Sequence, residues 1–133
     1  MSNLTITDVN LGSLVLNNAQ FRDDLLTFTG AGTVLAGTIL ARDSVSLKLV
    51  PFVKGSSTNE NGIPKSVLTY DVVATGAGDK SIRDMVSGSV RAERLIIKAD
   101  GDATNVDAAV LDQLRAYSLI SIDVQELSIL DNQ

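Results

Sequence analysis

The sequence predicts a mainly β chain with one short helix, an α+β arrangement. It forms a small β-barrel-like or sandwich domain behind an extended N-terminal arm. Three observations carry this expectation. Leucine, valine and isoleucine supply most of the 44% hydrophobic content, and they recur in short alternating runs, which suits strands. Gly37–Phe52 (GTILARDSVSLKLVPF) holds two apolar runs around a polar turn at Asp43-Ser44, the second stopped by proline, and reads as a β-hairpin. A helical apolar stripe is found at Val106–Tyr117. With 133 residues the chain is long enough for one domain with a genuine core. Residues 1–20 are expected to form the arm, a candidate for strand donation, and residues 21–133 the single β-rich domain.

Composition removes several kinds of chemistry. The chain contains neither cysteine nor histidine, which excludes disulfides, thiolate metal sites, Ser-His-Asp or Cys-His nucleophiles and the commonest zinc sites. A formal charge of −5 and an aromatic fraction of 4% lack the basic footprint and stacking side chains of nucleic-acid binding. Met1–Leu11 has no basic segment followed by an apolar core, so no signal peptide is expected. No apolar run approaches the roughly 20 residues of a membrane span. Neither a cofactor nor a metal is expected.

In chain order, the arm carries a short alternation, Leu4 and Ile6 against Thr5 and Thr7. Such a segment pairs with its own sheet, frays, or donates itself to another protein's sheet edge. Leu14-Val15-Leu16 is followed by a turn-like Asn17-Asn18, and Phe21–Thr29 favours a strand through its threonine-rich exit. Asp23-Asp24 reads as a pair of solvated turn residues rather than acid–base carboxylates. Gly30-Ala31-Gly32 precedes a β-branched run without lysine, so it is a turn or bulge and not a phosphate loop.

Beyond the hairpin, Lys54–Lys65 is the most obvious exposed loop, punctuated by Asn61-Gly62 and Pro64. Ser66–Ala74 reads as one strand with Leu68, Tyr70, Val72 and Ala74 on one face. Asp71 inside it faces solvent or bonds a neighbouring backbone group. Thr75–Lys80 reads as a turn, and Asp84–Arg91 as a strand whose Gly88 marks a bulge or close approach. Leu95–Ile97 is a short buried run.

Asp100–Asn105 imitates a calcium loop but puts Asn105 and Leu111 where glycine and glutamate are required. Thr104 or Asn105 instead caps a helix over 106–117, with Asp107 complementing its dipole. Val106, Val110, Leu114 and Tyr117 form its apolar stripe. Ser118–Val124 returns to a strand with Ile120, Ile122 and Val124 on its apolar side. A hydrolase using Asp71, Asp84 or Glu93 finds no support, because nothing in their spacing singles out a pair.

Several segments in fixed order resemble the head decoration proteins of tailed phages, the lambda D-type family. They are Gly37-Thr38-Ile39-Leu40-Ala41-Arg42, then Lys48-Leu49-Val50-Pro51, Val67-Leu68 through Asp71–Thr75, Gly88-Ser89-Val90-Arg91, Leu95-Ile96, and a short helix ending in Leu114-Arg115. Two departures stand out: Ser118-Leu119-Ile120 where the family often has Gly-Ile, and a tail from Gln125 to Gln133 beyond the usual end. The resemblance implies a non-enzymatic virion protein, made in the host cytoplasm, that needs no cofactor. It implies a homotrimer on the outer capsid surface, bound to the major capsid protein at three-fold or quasi-three-fold sites of the expanded head and resisting packaged-DNA pressure. Neither nucleic acid nor membrane is a partner. Leu4, Thr5, Ile6 and Thr7 are the capsid-binding candidates. Alternatives are another trimeric structural virion component, such as a fibre base or head–tail joining protein, and a small-ligand-binding β-barrel.

Overall fold

Alternation with a period of two gives each strand two faces, and along Ile39–Arg42, Pro64–Leu68 and Gly78–Arg91 both faces are buried in different layers. The computed structural model describes residues 14–117 and 119–122. In chain order the strands are β1 (Val15–Phe28), β2 (Gly32–Val34), β3 (Ile39–Arg42), β4 (Leu49–Pro51), β5 (Pro64–Leu68), β6 (Val72–Ala74), β7 (Gly78–Arg91) and β8 (Leu119–Ile122). The helix α1 spans Ala108–Ala116, and a single 3-10 turn covers Ala92–Arg94.

Strands β1, β4, β3, β5 and β7 neighbour one another in that order, and β7 pairs back onto β1. The result is a closed five-stranded barrel, which removes open edges from the ring. The expected mainly β barrel with one helix is what the chain forms. The longest seam is antiparallel, from Val15↔Val90 to Phe28↔Gly78 on β1 and β7. Strand β8 adds parallel to β7 outside the ring, and β2 with β6 makes a separate two-stranded ribbon.

Each of the five barrel strands contributes an apolar residue to one buried cluster: Leu26, Leu49, Leu40, Leu68 and Ile82. Phe28 and the ribbon residues Val34, Val72 and Ala74 complete it. Their alternates, Ile39, Ala41, Val67 and Met85, face the other way into a second cluster. That outer layer is covered by Val110 and Leu114 of α1, Leu119 of β8, and Phe52, Leu95 and Ile97. Complete burial of a leucine contributes about 1.5–3 kcal/mol, so the two layers together supply the driving force that composition promised.

The Gly37–Phe52 hairpin forms as expected, with Leu40↔Pro51 and Arg42↔Leu49 in register. Its turn is fixed by Asp43 Oδ1, which accepts from the amides of Val45 and Ser46 at 2.9 and 3.0 Å. Gly37 has φ 97°, and a side chain there would run into the Arg94 carbonyl. Only glycine lets the Leu95–Ile97 segment cross so closely, with Ile96 N donating to Gly37 O at 2.8 Å.

Elsewhere the structure corrects local expectations. Asn17-Asn18 lies inside β1 rather than in a turn, and register shifts on either side absorb it as an irregularity. The expected irregularity at Gly88, with φ 126°, falls in the same stretch of the seam. Ser66–Ala74 is not one strand. Its amide and carbonyl at Leu68 bond back to Thr38 and Gly37, while Asp71 Oδ1 accepts from Ala36 N at 2.7 Å. The chain therefore breaks at 69–71, and β6 joins β2 instead. Tyr70 is consequently exposed rather than in the core.

The turn expected through Lys80 ends earlier, because β7 starts at Gly78. The helix is capped by Asp107, whose side chain accepts from Val110 N, rather than by Thr104 or Asn105. Val110 and Leu114 are buried as expected, whereas Tyr117 is exposed. In β8 the burial is the reverse of the expected one: Leu119 enters the core behind α1 and Ile120 faces outward.

Candidate functional site

The lumen is apolar along only part of its length. Continuing the inward-facing rows in steps of two takes Leu26 to Asp24 and then Arg22 on β1, and Leu40 to Arg42 on β3. The same step takes Leu68 to Ser66 on β5 and Ile82 to Asp84 on β7. The pairing registers bring these residues together: Arg22 lies across from Asp84, Asp84 across from Leu68, and Ser66 across from Leu40. Lys65, Val86 and Tyr117 line the opening with them.

Asp24 is the hub of this cluster. Arg22 donates to it through Nε at 3.2 Å and Nη2 at 3.4 Å, and Arg42 Nη2 donates at 3.0 Å. Arg42 uses its other terminal nitrogen on the Leu47 carbonyl at 2.8 Å. Burial works against the Asp24 charge, but bonds from Asp84, Arg22 and Arg42 outweigh it and hold the carboxyl below its ordinary range. Asp84 is fully buried; as an ionised carboxylate neither of its oxygens has a hydrogen-bond partner, and only as the neutral acid does it bond Asp24. Burial first, and the neighbouring Asp24 second, push it up to about 6. At the rim, Lys65 Nζ lies 4.0 Å from the centre of the Tyr117 ring.

The capsid-binding candidates Leu4, Thr5, Ile6 and Thr7 lie outside the described residues. What the structure gives is the place where the chain enters. Leu14 O accepts from Arg91 N at 2.8 Å, and Arg91 pairs on its other side with Ile122. The first and last described residues therefore flank the same point at the end of β7.

The three carboxylates weighed for hydrolysis have separate attachments: Asp71 on Ala36 N, Glu93 3.5 Å from Arg91, and Asp84 in the lumen. Asp23 is solvated as expected, but its neighbour Asp24 is not, with side-chain exposures of 89% and 10%. In the Asp100–Asn105 loop the polar side chains bond locally, Asp102 Oδ1 accepting from Thr104 N and Asn105 Nδ2 donating to Asp100. Among the described residues no group of three metal-ligating side chains comes together.

Sequence reasoning missed the cluster of Arg22, Asp24, Arg42 and Asp84. A signal existed on β1, where Arg22, Asp24, Leu26 and Phe28 share one parity, so charges continue an apolar row. Their partners lie on β3 and β7, and only barrel closure makes them neighbours.

The barrel is thus packed with leucines and isoleucine at one end and carries an ion cluster at the mouth of the other. A model of the family of bacteriophage lambda head decoration protein D matches residues 5–119. The chain belongs to that family, and so to the capsid decoration proteins of phages, which are viral structural proteins. The comparison with curated proteins returned no match.

Proposed function

We propose that this chain is a cementing protein that binds the outside of the expanded phage head as a homotrimer at three-fold or quasi-three-fold sites. It contacts the major capsid protein and resists the pressure of packaged DNA without performing catalysis. The family match over residues 5–119 is the observation that carries this reading.

The physics of the role is adhesive. Three modest contacts on one symmetric particle act at high effective concentration, and avidity exceeds a single contact by ~10²–10⁴. The closed barrel supplies a rigid body with few open edges, while the alternating arm ahead of β1 supplies backbone for pairing with a sheet edge on the shell. Leu4, Thr5, Ile6 and Thr7 are its contact residues.

Deleting Met1–Asn10 tests the arm directly. The truncated protein is expected to keep its oligomeric state and fail to co-sediment with expanded heads. A truncated protein that saturates heads as the full chain does would refute the arm's role.

A further inference from the structure

The charged end of the lumen holds a carboxyl group that ion pairing does not explain. Groups face Asp84 from every neighbouring element: Arg22 and Asp24 on β1, Arg42 on β3, Lys65 and Ser66 on β5, and Tyr117 after α1. None of the cations is bonded to it. Arg22 and Arg42 direct their nitrogens to Asp24 and the Leu47 carbonyl, and Lys65 rests on the Tyr117 ring. With Asp84 ionised, both its oxygens and the Ser66 hydroxyl lack partners. An ionised carboxylate in that position is strongly disfavoured, whereas the neutral acid carries a hydrogen that the adjacent Asp24 carboxylate can accept.

We propose that Asp84 and Asp24 together hold one proton, taken from solvent, and that this proton latches the charged end of the barrel by tying β7 to β1. Asp24 remains the anion, because two guanidinium groups hold it, and Asp84 carries the hydrogen. Loss of the proton leaves two neighbouring carboxylates, one fully buried, and loosens that end. The latch is a property of the fold and stands whether or not the protein binds phage heads.

The sign follows from the direction of the shift. Asp84 in the folded chain sits at about 6, above its ordinary 3.8. Its stabilisation is therefore fully present below about pH 4, declines as pH rises through about 6, and is gone near pH 8. Asp24, Asp43, Asp79, Asp102 and Asp107 are all held low. They act in the opposite sense and only in the more acidic range, so the interval from pH 5 to 8 isolates Asp84.

The test uses the full chain. Denaturant unfolding is expected to give a folding equilibrium constant roughly tenfold lower at pH 8 than at pH 5. Asp84→Asn, whose amide mimics the neutral acid as a donor, is expected to flatten that dependence and to exceed the parent at pH 8. An NMR titration of the Asp84 side-chain carboxyl in the unaltered protein is expected to show a midpoint near 6. A midpoint below about 4.5, or the same pH dependence in Asp84→Asn, would overturn the latch. Should the variant fail to fold, the NMR titration alone decides.

Discussion

At one end of the barrel lumen Leu26, Leu40, Leu49, Leu68 and Ile82 meet with almost no exposure. At the other end the same inward-facing rows deliver Arg22, Asp24, Arg42, Ser66 and Asp84. The apolar end gains from any close packing, because burial is non-directional and scales with area. The charged end gains only when particular atoms meet, since each buried charge must recover its lost hydration from a partner. A slip of one residue in the β1–β7 pairing would turn Asp24 outward and leave Arg42 without its carboxylate. The leucines therefore supply stability and the ion cluster supplies register, two tasks divided along one cavity.

Substitutions at the two ends should differ in size and in their response to pH. Leu68→Ala, at the apolar end, is expected to cost about 2–5 kcal/mol by thermal or denaturant unfolding, equally at pH 5 and pH 8. Arg42→Ala removes two bonds at the charged end and leaves Asp24 and Asp84 with less positive charge. It is expected to cost about 2–3 kcal/mol, to raise the Asp24 pKa, and to make stability more dependent on pH. Ile82→Val, a milder truncation at the apolar end, is expected to cost about 0.5–1.5 kcal/mol with no pH component. The smallest effect belongs to Ser66→Ala. Its buried hydroxyl has no partner, so the change should stay within about 1 kcal/mol and can be stabilising. Equal pH responses from Leu68→Ala and Arg42→Ala would erase the distinction between the two ends.

How much of this was legible in the sequence follows from how local each feature is. The hairpin around Asp43 was readable because its turn and both strands lie within sixteen consecutive residues. The helix is readable from Val110 and Leu114, but its cap is not: Thr104, Asn105 and Asp107 all cap well, and only the fold selects Asp107. The break between β5 and β6 was hidden, since Ser66–Ala74 alternates without punctuation. What interrupts it is the Asp71 bond to Ala36, thirty-five residues away. The ion cluster was hidden for the same reason. Asp24 and Asp84 are sixty residues apart and become neighbours only when β7 closes onto β1. The arm residues Leu4–Thr7 are legible only through their alternation and the family resemblance, and the deletion above tests their role.

The most direct test of the adhesive account is electron cryomicroscopy of expanded, undecorated heads of the encoding phage after incubation with the full chain. The account predicts three-lobed density on the outer surface at the three-fold and quasi-three-fold positions. Bare shells at saturating protein, or density confined to the tail vertex, would contradict it.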